Sequence, residues 1–295
     1  MKTRLILGTA LALIAAPALA EGPLNVTTYG GAFAKTVEEA YVKPFSEATG
    51  IQTSVLDASD PPAKLKAEVE AGNITSDVYE VEQSDVIRLC DEGALEQIDP
   101  AILSAGPGGE AAKDDFIEGA VTECFVATDV YSMVLAYDDS KFADAKPATP
   151  ADFFDTAKFP GKRTMRKGAK FNLELALMAD GVPADQVYEV LGTPEGVDRA
   201  FKKLDTIKKD LVWWEAGAQP VQLLADGEVA MAAAYNGRIF KAAEVDGLPL
   251  AILWDAQIYE LEGWVIPKGA PNRAGALAFV AASTAPEPLA RFAEE

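Results

Sequence analysis

Apolar residues fall along this chain in short runs, separated by glycine turns and by stretches of helical period. Leu24–Tyr29 reads as a strand that stops at Gly30-Gly31. Beyond the turn, Phe33, Val37, Tyr41 and Phe45 recur every fourth residue, which places them on one face of a helix. Residues 51–56 read as a strand, 63–71 as a helix, 77–81 as a strand, and 85–91 as a helix closed by Gly93. This alternation predicts a doubly wound α/β architecture, with a mainly parallel sheet covered by helices on both faces.

Residues 121–137 break that rhythm. Val126, Val130, Tyr131, Val134 and Tyr137 form a β-rich stretch longer than one ordinary strand, as expected of a segment that carries the chain from one domain into another. Thr149-Pro150 and Thr193-Pro194 each pair an N-cap with proline at the first helical position. In the second of these helices, Val197, Phe201, Leu204 and Leu211 are expected to face the core, with Lys202, Lys203, Lys208 and Lys209 towards water. Residues 104–109 read as an exposed loop, and no internal repeat interrupts the chain.

The start of the chain changes the picture. Lys2 and Arg4 precede an apolar stretch over residues 5–14, and Ala18-Leu19-Ala20 matches an A-x-A cleavage site. Residues 1–20 are therefore expected to be an export signal cleaved near Ala20, leaving about 275 residues in the periplasm, enough for one large or two ordinary domains. The composition is acidic: 26 Lys and Arg against 46 Asp and Glu, a net charge of −20. A polyanion would be repelled, which argues against nucleic acid as a partner, while a cationic group on a ligand is favoured. Cys90 and Cys124 are the two cysteines. In an oxidising compartment a disulfide closing a loop of about 35 residues is the natural reading, worth about 3–4 kcal/mol. A zinc site is the weaker alternative, since two thiolates without histidine cannot complete one.

Enzyme classes drop out early. The chain has no histidine, so the Ser-His-Asp and Cys-His arrangements and the H-E-x-x-H motif are impossible. Neither a G-x-S-x-G elbow nor a phosphate-binding G-x-x-x-x-G-K-[ST] loop occurs. A carboxylate pair for glycoside hydrolysis is the one catalytic option left. No catalytic residue, cofactor or metal is expected.

Binding chemistry is better represented, at the strand ends where open α/β sheets hold ligands. Tyr29-Gly30-Gly31 offers an aromatic wall and close backbone approach, or is a plain tight turn. Glu80-Val81-Glu82-Gln83-Ser84 places polar residues where strand meets helix; alternation from a buried Val81 puts Glu80 and Glu82 on one side, facing either a ligand or solvent. Thr128-Asp129 sits in the long β-rich segment. Arg166 ends a strand-like run, with Phe171 and Glu174 beyond it, whereas Lys162, Arg163, Lys167 and Lys170 read as a solvated face. Trp214, Gln219, Tyr235 and Arg238 combine flat faces with oriented donors, a palette for gripping a small polar molecule. Trp254, Asp255, Gln257 and Tyr259 repeat that palette, either at the same site or on the surface.

Taken in order, several of these segments resemble the periplasmic solute-binding proteins of ABC transporters, in the spermidine/putrescine-binding branch. The matching segments are the strand leading to Tyr29-Gly30-Gly31, Asp77-Val78 with its polar loop, Phe159-Pro160-Gly161-Lys162, the "LLADG" of residues 223–227 with residues 229–238, and Gly263-Trp264-Val265-Ile266-Pro267. The resemblance implies a type II fold of two lobes, each a mainly parallel sheet covered by helices, with one ligand buried between them. It implies a first lobe over 21–130, a second over 131–261, and a return to the first over 262–295. It further implies ligand contacts near Tyr29, Glu82, Ser84, Trp214, Tyr235, Asp255 and Tyr259 and delivery to an inner-membrane permease; a monomer is the default expectation. Relatives of this kind continue past Leu289-Ala290-Arg291-Phe292 with further helix, so a longer C-terminal region is expected.

One departure bears on the ligand. Similar polyamine receptors carry acids before the helix that here begins around Gly168-Ala169-Lys170-Phe171, and this chain has none there. Arg166 and Arg238 would instead meet a dication. A buried guanidinium needs an anion, from the protein or from the ligand. An ω-amino acid such as γ-aminobutyrate satisfies both ends, its amine on Glu82 or Asp255 and its carboxylate on an arginine, and is expected ahead of a plain polyamine. The rival functions are a chemoreceptor-coupled sensor of the same ligand and a secreted carboxylate-dependent hydrolase.

Overall fold

The computed structural model describes residues 23–142 and 144–294; the expected export signal lies outside them. Eight strands form one continuous sheet: β1 (Leu24–Tyr29), β2 (Thr53–Ala58), β3 (Val78–Glu82), β4 (Val126–Asp138), β5 (Arg163–Arg166), β6 (Leu211–Trp214), β7 (Met231–Tyr235) and β8 (Leu250–Val265). Their spatial order is β2-β1-β3-β8-β4-β7-β5-β6. The outer trios, β2-β1-β3 and β7-β5-β6, are parallel. Between them, β8 and β4 pair antiparallel with each other and with the adjoining strands. Residues 126–137 of the β-rich segment thus lie in one of two long strands that join the halves, and residues 121–125 precede it.

Each half is covered on both faces. Along β3, Val78 joins a core with Leu24, Val26, Tyr41, Phe45, Trp264 and Phe279, while Tyr79 and Val81 face another containing Leu65, Leu89, Phe125 and Val265. In the other half, Met165 and Leu135 pack with Phe153, Leu175 and Leu204, and Ala232 and Ala234 with Leu224 and Ile239. Burying each large side chain stabilises the fold by about 1.5–3 kcal/mol, so both halves have substantial cores.

The period-four stripe from Phe33 to Phe45 has a structural consequence. The helix spanning 32–49 takes π geometry over Glu38–Val42, which absorbs the drift between a spacing of four and the α-helical 3.6. Pro44 follows, and having no N–H it leaves the Ala40 carbonyl without its i+4 donor. Arg291, from the helix Pro286–Glu294, donates to that carbonyl at 2.9 Å. The C-terminal helix is thereby tied to the first one.

Two readings are corrected. In the helix Pro194–Asp205, capped by Thr193, the buried stripe is Gly196, Ala200 and Leu204, while Phe201 is 52% exposed. A Cβ on Gly196 would lie 1.9 Å from the Val190 carbonyl oxygen, so close backbone contact at this glycine rotates the helix away from the Phe201 face. Arg163 is fully buried and not solvated; its guanidinium donates to the carbonyls of Phe153, Gly161 and Phe159 at 2.6–2.7 Å. Cys90 and Cys124 form a disulfide, with Cα atoms 6.2 Å apart, so neither thiolate is left for zinc. Among the described residues no helix is long and apolar enough to cross a membrane.

Candidate ligand-binding cleft

The carboxyl ends of β1, β3, β5, β6 and β7 carry Tyr29, Glu82, Arg166, Trp214 and Tyr235. Contacts from one half to the other show that these ends converge. Between them β4 and β8 contribute Asp129, Tyr131, Glu260 and Glu262 to one face of the sheet: Asp129 pairs with Glu262 and Tyr131 with Glu260 in register.

Glu82 is the hub of an ionic bridge across the cleft. Its Oε1 accepts from Arg166 Nη1 at 3.0 Å and from the Tyr131 hydroxyl at 2.6 Å, and its Oε2 accepts from Lys170 Nζ. Lys170 also donates to Asp85 Oδ2 at 3.0 Å and lies 3.7 Å from Glu260. Burial alone would raise the Glu82 pKa, but Lys170 and Arg166 outweigh it and hold the carboxylate below its ordinary value. The loop that delivers both cations is tied by Asn172, whose side-chain amide donates to the carbonyls of Arg166 and Gly168. Phe171 there has φ 68°, an uncommon conformation for a bulky residue, while its ring is buried against Tyr131.

A second set of acids lies deeper in the first half. Glu80 is fully buried and accepts from Thr28 and, at 3.4 Å, from Thr128; Thr128 also donates to Asp129 at 3.0 Å. Burial pushes the Asp129 carboxyl up to about 7. Burial, and then the charge of Asp129, raises both Glu80 and Glu262 well above the usual carboxylate range. Glu262 Oε1 is buried with no hydrogen-bond partner, as is the Tyr29 hydroxyl, which feels the charges of Glu82 and Glu262.

Opposite these acids stands Arg238, at the start of the helix Asn236–Phe240. It makes no hydrogen bond or ion pair with any described residue. Burial lowers its pKa, against the opposing pull of Tyr235 and Glu262. A Cβ on Gly31 would lie 3.9 Å from Arg238 Nη1, and one on Gly217 3.0 Å from Nε. Gly217 therefore leaves room for the guanidinium, and Gly31, from the other half, lies within ordinary contact distance of it. Tyr235 packs edge-on against Tyr131 and Trp214, with centroids 5.2 and 5.5 Å apart, completing an aromatic wall.

Of the residues singled out from sequence, the fold brings together Tyr29, Gly30, Gly31, Glu82, Asp129, Arg166, Tyr235 and Arg238. Others lie elsewhere. Trp214 is 1% exposed and its Nε1 donates to the Ala233 carbonyl at 2.9 Å, so it is packed in the core behind the Tyr235 ring. The Gln219 side chain accepts from the N–H groups of Glu215 and Ala216 and braces that turn. Ser84 is exposed, and its backbone N–H donates to Glu260. Asp255 and Trp254 are exposed on an excursion of β8: the register passes from Met133–Ile258 to Leu135–Leu253, and Ala256 there has φ 60°. Tyr259 pairs with Ser132, one residue out of phase with Glu260, so it points to the opposite face and is 70% exposed.

Tyr131, Lys170, Glu260 and Glu262 are not evident as site residues from sequence, and Glu80 falls only within a candidate cluster. Glu80 and Glu82 do share a side, as alternation implied, but that side is covered by helices and by the other lobe instead of water. Glu262 had a usable signal. It is an acid in an apolar strand beside Gly263, whose Cβ would lie 2.3 Å from the Val126 carbonyl oxygen, the mark of close strand approach.

Comparison with known proteins agrees with this architecture. The family model for bacterial extracellular solute-binding proteins matches residues 40–294, and the chain belongs to that family. A gamma-aminobutyric acid-binding protein of Pseudomonas aeruginosa is 48% identical over 285 residues, covering 97% of this chain and 78% of that protein. Among solved structures, the periplasmic binding protein MotA of A. tumefaciens B6 in complex with glucopine superposes with a TM-score of 0.85 at 32% identity, covering 92% of this chain and 82% of that one. The Atu4243 GABA receptor has a TM-score of 0.78 at 36% identity, covering 92% and 81%. The chain is a two-lobed solute-binding protein and not an enzyme.

Proposed function

We propose that this protein binds a short ω-amino acid of the γ-aminobutyrate type between its lobes and delivers it to an ABC permease. The observation that carries the reading is a buried carboxylate oxygen without a donor within electrostatic reach of a half-buried guanidinium that no described residue binds. Arg238 makes no hydrogen bond or ion pair with any described residue, though it feels the charge of Glu262, and Glu262 Oε1 is buried without a donor. A carboxylate on Arg238 forms a charge-assisted pair, and an ammonium on Glu262 supplies the missing donors and favours the ionised carboxylate. Tyr29, Tyr131 and Tyr235 line the methylene chain between these ends. Glu82 and Asp255, the amine partners expected from sequence, are less suitable: Glu82 is already neutralised by Arg166 and Lys170 and accepts from Tyr131, and Asp255 is exposed. The names of the P. aeruginosa relative and the Atu4243 receptor support the same ligand class.

In this reading the first lobe spans 21–130 and 262–295, the second 131–261, and β4 and β8 form the hinge. The mature protein acts as a monomer in the periplasm after cleavage near Ala20. Closure is a population shift: the ligand binds one lobe first, and contacts from the other favour the closed form.

A thermal-shift screen of the mature protein tests this. At a hundredfold its dissociation constant, γ-aminobutyrate should add about 2.7 kcal/mol and raise the melting temperature by roughly 5 °C. A shift with putrescine and none with zwitterions would overturn the reading.

A further inference from the structure

We propose that Lys170 sets ligand specificity by excluding diamines, its ammonium standing where a second ligand ammonium would have to bind. The inference deepens the reading of the cleft as an ω-amino acid site, and rests on it. Three carboxylates, Glu82, Asp85 and Glu260, converge on one point from the first lobe and the hinge, and Lys170 Nζ from the second lobe occupies it. A trio of acids at one end of a cleft, with a further acid, Glu262, along it, is a ready site for a molecule with two positive ends. Lys170 fills one of those ends with a cation that is part of the chain.

The position is held on both sides. Asn172 ties the loop before its own helix to the end of β5, and the buried Phe171 ring fixes the residue next to Lys170. Glu82 accepts from Lys170, Arg166 and Tyr131 together, and the lone pair left on Oε2 lies beside the Lys170 ammonium, so an incoming ammonium meets a like charge there unless Lys170 leaves. A diamine must therefore displace a tethered cation or leave its second charge beside Arg166 and Lys170. A zwitterion turns its carboxylate towards Arg238 and needs neither. Discrimination of this kind acts by repulsion as much as by attraction.

The test is calorimetric titration of the full mature chain with γ-aminobutyrate and with putrescine, for the wild type, Lys170→Met, Lys170→Gln and Lys170→Arg. The readout is the ratio of the two dissociation constants in each protein. Wild type should favour γ-aminobutyrate. Lys170→Met and Lys170→Gln should shift the ratio towards putrescine by about tenfold or more, through gained diamine binding, and Lys170→Arg should keep the wild-type ratio. If wild type favours γ-aminobutyrate and the neutral variants shift the ratio by less than about threefold, the role of Lys170 is overturned and the ligand reading stands. If wild type itself prefers putrescine, both are overturned.

Discussion

The two walls of the cleft are built by the same device and carry opposite charge. Each is the carboxyl end of three parallel strands, yet the first lobe presents Glu80, Glu82 and Asp85 and the second presents Arg166, Lys170 and Arg238. The acids of the first wall divide into two groups. Glu82 is neutralised across the cleft, whereas Glu80, and Asp129 and Glu262 on the adjoining hinge strands, have only hydroxyl groups or no donor at all. The second wall divides similarly: Arg166 and Lys170 are spent on Glu82, and Arg238 is not. Acids without a cationic partner and a cation without an anionic hydrogen-bond partner therefore remain on different sides of the cleft. In the proposed reading this difference between the lobes suits a zwitterion; two walls of like charge would call for a dication or a dianion.

The strongest way to break this contrast is to remove the unspent cation. Arg238→Met should raise the dissociation constant for γ-aminobutyrate about 100-fold, close to 2.7 kcal/mol, while leaving binding of the same amine without its carboxylate little changed. Equal losses for both compounds in a titration would place Arg238 outside the carboxylate contact.

Next comes the deep acid group, probed by pH. Asp129 has a native pKa of about 7, above the unfolded value of about 3.9. The folded protein thus holds a proton that the unfolded chain releases, and this contribution to stability is full below about pH 4 and lost as pH rises through about 7. Asp129→Asn should therefore raise the melting temperature relative to wild type at pH 8, by roughly 3–6 °C, with the gain shrinking as pH falls towards 4. Differential scanning calorimetry across that range decides it, and a difference independent of pH would mean that Asp129 is ionised throughout.

The smallest effects should come from the residues that sequence favoured but the fold sets aside. Trp214→Phe loses one hydrogen bond to Ala233, about 1 kcal/mol of stability, and should change ligand affinity less than about threefold. Asp255→Asn should change neither. A tenfold loss of affinity in either variant would return that residue to the site.

Much of the architecture was legible because its signals are local. Thr193 before Pro194, the strand ending at Tyr29-Gly30 and the length of the β-rich segment each declare an element without reference to the rest of the chain. The face of a helix or strand was less secure. Phe201 belongs to a well-formed apolar stripe, yet Gly196 draws the helix in along a neighbouring line and leaves Phe201 in water. Lys170 looked like one more lysine of a solvated run, and nothing within that run distinguishes it from Lys167, whose partner Glu215 is exposed.

The sequence by itself determined an α/β fold with a long joining segment, the absence of histidine chemistry, and a stock of aromatic, acidic and arginine residues at strand ends. These follow from side-chain period, capping and composition, which act over a few residues. Only the tertiary structure decided that Glu82 meets Lys170 across 88 positions of chain, that Tyr259 and Glu260 face opposite ways, and that Glu262 Oε1 and Arg238 have no hydrogen-bond partner among the described residues. Strand order and register set which charges come within contact distance, and burial sets what each contact is worth. Neither quantity is a property of any short stretch of sequence.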